Sequence, residues 1–393
     1  MAEITLKKRR QIFLIILVVI LFLSLSCPAV ADPLESSLAN QLEQLNLEQL
    51  TQFQDLIDPE YQQFLPQLGL KDILGRGEAR GGLGDLVKIF IQGFFKEVVL
   101  SAHLLRQLVI VSLLSAILFQ LQRSFGDQNT VNLAFMVTFL IITFICLQSF
   151  KEAAQIALTA VDNMVSFMHA LLPTMATLLA AVGGISTAAI FHPVLIASVT
   201  TIASVVRFIL FPLINIGIVL GLLAHLSPDF PLTKMAGFVR HLGTMLLSFL
   251  FVIFSSVLLV RGAIAPVADG LALRTAKFLT STFVPVVGGS FAGAMEIVMG
   301  GSLLIKNAVG IYALVLLFFF LATPILKVWA IIIIYQIVEL LIEPVCDKRF
   351  VELLGSFENA LKMIMVSLAT VSLMFFITVL VLVSFGNLAV FMR

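Results

Sequence analysis

The chain has 393 residues, of which 60% are hydrophobic and only 12% charged. A soluble domain of that composition could not cover its surface with polar groups, so lipid must be its main solvent. A formal net charge of +1 supplies no field that would gather a polyanion, which gives no support for nucleic acid as a partner.

In chain order, Lys7, Lys8, Arg9 and Arg10 precede an apolar stretch from Ile12 to Leu25, followed by Pro28 and Ala29-Val30-Ala31. A basic, an apolar and a small-residue region in that order predict a signal peptide over 1–31, cut after Ala31 with Ala29 and Ala31 at the cleavage site. The alternative is an uncleaved anchor helix. Residues 32–85 are predicted to lie outside the membrane. They begin with a Gln/Glu/Leu-rich amphipathic helix to about residue 68, with Leu42, Leu45, Phe53 and Ile57 near helical spacing. Gly75, Gly77, Gly81 and Gly82 then form a joint. These glycines do not read as a phosphate loop, because no strand precedes them and no Gly-Lys-Ser/Thr follows.

Residues 86–393 read as an all-α, polytopic membrane domain, since only helices satisfy their own backbone groups in lipid. About eight spans are expected, near 99–121, 131–149, 171–191, 194–225, 241–260, 282–303, 308–340 and 363–390. The fourth and seventh are too long for single straight crossings and carry Pro212 and Pro324, where a missing N–H and a ring clash favour a kink or break. With the cleaved N-terminus outside, this count puts Arg261, Arg274 and Lys277 on the cytoplasmic side together with Lys348, Arg349 and Lys362. Lys151, Lys234, Arg240 and Lys306 then fall outside.

The chain also resembles itself at an offset of 112 residues: Pro173 with Pro285, Pro212 with Pro324, and Phe238-Val239 with Phe350-Val351. Two units, 160–263 and 272–375, would each hold three spans, and an odd number inverts the second copy relative to the first. Inverted repeats with broken helices are a transporter architecture, with the substrate near the midplane.

Charges deep in a span are functional candidates by default. Arg207, Glu296 and Lys327 qualify, with Lys306 just beyond the segment of Glu296, and Asn215 and Lys327 each stand three residues after a paired proline. If the proline breaks open on a hydrated centre, Asn215 and Lys327 should line it. The five histidines lack ligand spacing, Cys146 and Cys346 form no framework, and no nucleophile–base set can be assembled. No catalytic role, metal or cofactor is therefore expected.

Residues 278–310, FLTSTFVPVVGGSFAGAMEIVMGGSLLIKNAVG, and 367–380, SLATVSLMFFITVL, resemble the stage III sporulation protein AE family, and the likeness extends over nearly the whole chain. That resemblance implies a subunit of a channel-like complex between mother cell and forespore, placed in the mother-cell membrane around the forespore. It also implies partners from the same operon: a secretion-type ATPase, small membrane subunits and ring-forming proteins. A small-solute permease and a non-conducting scaffold are the alternatives.

Overall fold

A computed structural model describes residues 52–55, 57, 83–125, 128–226, 232–283 and 288–391; side chains at the helix ends nearest the gaps, and at 261–268, 273, 276–277 and 288–297, fall outside it. The expected signal peptide and most of the amphipathic segment lie outside the described residues. Within them every regular element is helical. The helices are α1 (Leu83–Leu100), α2 (Ala102–Phe125), α3 (Gln128–Ala181), α4 (Ile185–Val205), α5 (Phe211–Leu226), α6 (Thr233–Phe283), α7 (Gly288–Ile342) and α8 (Lys348–Phe391). A π-helical turn, Val206–Leu210, joins α4 to α5.

Among the described residues five helical segments are long and apolar enough to cross a membrane, or six if the bent pair Phe90–Leu100 and Ala102–Ile117, angled at 43°, makes one crossing. The count of about eight is not reached among the described residues, where several predicted spans fuse. The stretches 131–149 and 171–181 belong to one helix, α3, and 288–303 and 308–340 belong to α7. At 1.5 Å per residue the 54 residues of α3 extend about 80 Å, well beyond the roughly 30 Å of hydrocarbon.

The reason is visible in the segment read as a loop. Lys151, Glu152 and Gln155 are exposed, but Phe150, Ala153, Ala157, Ala160, Met164 and Met168 are buried at helical spacing. An average over a window erases that stripe, whereas packing against α7 and α8 rewards it.

The expected span 171–191 is instead divided by a tight turn. Gly183 takes a left-handed φ of 97°, and the Gly184 N–H bonds to the Leu179 carbonyl while Gly183 N–H bonds to Ala180. This is a Schellman-type helix end, which favours glycine because a side chain is strained at that φ. The next helix begins at once. Its free N–H groups at Ser186 and Thr187 donate to the Asp269 carboxylate of α6 at 2.9 and 3.1 Å, and the Thr187 hydroxyl donates to the same carboxylate. A buried carboxylate at a helix N-terminus satisfies orphan donors and complements the helix dipole.

The two prolines behave differently. Before Pro212 the backbone widens into the π turn, with the Phe211 N–H reaching back to the Val206 carbonyl. A π turn is one way to accommodate the ring and the absent donor. Of the kink or break expected at Pro324, the break does not occur: α7 is a single helix from Gly288 to Ile342 with Pro324 inside it.

The core lies between α3, α7 and α8 and is filled by side chains such as Met164, Met168, Leu171, Tyr335, Leu368 and Phe375. A short turn after Ile342 reverses the chain, so α7 packs on α8, and α5 packs on α6.

Candidate functional site

The predicted site residues do not converge. Arg207 lies in the π turn and is exposed; Pro212 and Asn215 are exposed on α5, whose main neighbours are α6 and α8. Lys327 is half-buried on α7, which packs chiefly against α3 and α8. Glu296 belongs to the first turns of α7, and its side chain lies outside the described residues. Lys306, expected in an external loop, is enclosed between α7 and α8, where its Nζ donates to the Val383 carbonyl at 2.8 Å. One turn further, Gly310 has no room for a side chain, because a Cβ there would overlap Val383 Cγ2. Lysine and glycine together thus bring α7 and α8 into close contact, a structural use of small residues.

Arg207 is different because it has a partner the sequence did not reveal. Its Nη1 donates to both carboxylate oxygens of Asp162 on α3 at 3.1 Å. Each of these residues sits deep within a candidate span, more than about four helical turns from either end. Intramembrane charges are costly unless paired, so the ion pair accounts for both together. Beside it, His169 Nε2 and Thr200 Oγ1 lie 3.2 Å apart, again linking α3 to α4.

These contacts belong to a continuous polar face. Between Leu147 and Ile185 no large hydrophobic side chain is exposed, and none is between Ile190 and Phe208. On α3 the exposed positions from 150 to 180 are instead Lys151, Glu152, Gln155, Thr159, Ser166, His169, Pro173 and Thr177, and with the half-exposed Asp162 they keep to one side of the helix, mostly three or four residues apart. On α4 the exposed set from Pro193 to Arg207 is Pro193, Ala197, Thr200, Thr201, Ser204 and Arg207. The opposite behaviour marks α6, which exposes Phe238, Met245, Phe249, Val252, Ile253 and Leu259, and whose Thr244, Ser248 and Ser256 hydroxyls turn back to their own backbone. One face of the molecule suits hydrocarbon and the other does not.

Two smaller polar groupings tie the bundle together. Tyr335 of α7 meets Ser149 Oγ at 2.5 Å and donates to the Cys146 carbonyl at 3.3 Å, while Gln336 and Lys362 hold the Glu358 carboxylate at 2.7 and 2.6 Å. In the turn between α7 and α8, Cys346 Sγ donates to the Ser112 carbonyl of α2 at 3.3 Å. Burial, and then the neighbouring Asp347 carboxylate, pushes the Cys346 thiol above its ordinary pKa.

Asp162 was missed from sequence because it lies in the polar stretch read as a loop between spans. The signal that would have found it is the apolar stripe on the other side of the same helix.

A long-helix bundle with lipid-compatible flanks and an internally satisfied backbone defines a multi-pass helical membrane protein. Its family is equally clear. The family model for stage III sporulation protein AE matches residues 68–386. The stage III sporulation protein AE of Bacillus subtilis (strain 168) is 31% identical over 351 residues, covering 89% of this chain and 88% of that relative. The chain belongs to the stage III sporulation protein AE family, and is a sporulation membrane protein. No solved structure matches it.

Proposed function

We propose that this protein is the membrane platform or conduit of a complex joining mother cell and forespore, seated in the mother-cell membrane that surrounds the forespore. Family membership supports a place in the stage III sporulation system. Its partners on this reading are a secretion-type ATPase, small membrane subunits and ring-forming proteins of the same system.

The observation that carries a conduit rather than an inert scaffold is the mid-span Arg207–Asp162 pair on an exposed polar face. A scaffold in lipid has no need of such a face, and two charges placed there are retained only where water or protein meets them. The protein acts without catalysis, as a passage and mounting surface. A small-solute permease is the second reading, resting on the 112-residue offset that pairs Pro212 with Pro324 between 160–263 and 272–375.

The test is the pair Arg207→Leu and Asp162→Leu made together. Leucine suits a lipid-facing or packed position, so membrane abundance should stay normal while late forespore gene expression falls. Normal spore yield from stably inserted double variant would remove the conduit reading.

A further inference from the structure

We propose that copies of this chain associate through the α3–α4 face and enclose a hydrated path between them; this rests on the conduit reading and says where the conduit lies. The interior of one chain offers no passage among the described residues, because the space between α3, α7 and α8 is filled by Met164, Met168, Leu171 and Phe375. A path must therefore run along an outer face. Among the described residues only the α3–α4 face is chemically fit for water over the length of a crossing: it exposes no large hydrophobic side chain from 148 to 184 or from 191 to 207.

A lone chain in a bilayer would press this face against hydrocarbon. The Arg207 and Asp162 side chains keep 54% and 47% of their surface uncovered even though they contact each other. Transmembrane charges usually face a bundle interior or a water-filled cavity. Here the bundle interior lies on the opposite side of α3, so the cover comes from outside the described residues.

The face itself selects a second copy as that cover. It carries both signs in close alternation, Lys151 beside Glu152 and Asp162 beside Arg207, so two such faces can meet about a rotation axis with opposite charges opposed. A partner of a single sign would leave half of these groups unmatched. Pro193, Ala197 and Ser204 keep the α4 edge narrow, which allows neighbouring helices to approach while hydroxyls and the ion pair remain at the wet centre.

The experiment is cross-linking between copies in sporulating cells. A single cysteine is placed at Ser166 or Thr200 in a chain with Cys27→Ser and Cys346→Ser; Cys146 is fully buried and stays. A control carries Phe249→Cys on the apolar face of α6. After treatment with a membrane-permeant bis-maleimide, Ser166→Cys and Thr200→Cys should give an adduct of twice the chain mass, shown by peptide mapping to hold two copies. Phe249→Cys should give severalfold less. An adduct joining Ser166 to a different polypeptide, an equal yield from Phe249→Cys, or no adduct from cysteines that a mono-maleimide does modify would overturn the proposal. Same-chain adducts at Ser166 combined with normal sporulation of the Arg207→Leu/Asp162→Leu variant would keep the association and remove the conduit. The reverse pattern would keep the conduit and remove the association.

Discussion

Arg207 and Asp162 depend on each other in a way that single substitutions expose. Arg207→Leu leaves the Asp162 carboxylate without its guanidinium in mid-span, and Asp162→Leu strands the arginine; an unpaired charge at a helix centre costs about 2.5–3.5 kcal/mol on insertion scales. Either single variant should therefore lower the amount of membrane-inserted protein, and the double variant should recover it. Quantitative immunoblotting of carbonate-washed membranes decides the matter, and a double variant less abundant than both singles would contradict the pairing. Cys346 supplies a second residue-scale test outside the spans. Because burial and Asp347 raise its pKa, little reactive thiolate exists at neutral pH, and reaction with a maleimide should accelerate as pH rises. Asp347→Asn removes a negative neighbour and should speed the reaction at any fixed pH below the thiol's pKa. Unchanged rates in that variant would assign the whole shift to burial.

Among the helices, α7 and α8 approach closely at Gly310 and α6 and α8 at Gly243, and the two glycines are not equivalent. A side chain at 310 meets Val383 Cγ2, and valine is stiff about χ1, so Gly310→Val should overpack the interface and destabilise by about 1–3 kcal/mol. At Gly243 the obstacle is the terminal methyl of Met363, which can swing away, so Gly243→Ala should be nearly neutral. Thermal aggregation midpoints in detergent would rank the two, and a larger loss at 243 would refute this view of the packing. The same scale shows what the sequence made legible. Helical class, membrane setting and the signal at Pro212 follow from composition, apolar run length and proline chemistry. The fusion of spans into α3 and α7 does not, because a polar stripe on a half-buried helix lowers mean hydropathy as a loop does. Within the candidate site, Arg207 could be picked out as a charge in an apolar run, but Asp162 could be paired with it only once α3 was continuous and folded back on α4. Asn215 and Lys327 followed from an offset in sequence, and that offset does not specify which helices become neighbours.

For the whole molecule, the helix count changes the topology. If α7 crosses once, the C-terminal part of α6 and the turn before α8 fall on opposite sides of the membrane, and the basic groups at 274–277 and 348–349 would not share the side that eight spans give them. With α1 and α2 as one bent crossing there are six, and residues 83 and 391 end on the same side. Lys234, Arg240, Lys348 and Arg349 then fall at the other end, which the positive-inside rule predicts to be cytoplasmic. A cysteine at Thr275 should accordingly react with an impermeant thiol reagent in intact protoplasts, and one at Glu343 in a Cys346→Ser background should not. Labelling of both or of neither would restore an additional crossing or a re-entrant segment.

The central claim is that water, not lipid, meets the α3–α4 face at mid-membrane. Its most direct measurement is the reactivity of single cysteines at Thr200 and Ser256 toward a small charged methanethiosulfonate in membranes from sporulating cells. Both positions are exposed hydroxyl sites on long apolar helices, one on the polar face and one on the α6 face. The account predicts rapid modification at 200 and none at 256. Equal protection of both sites in folded, membrane-inserted protein would contradict it.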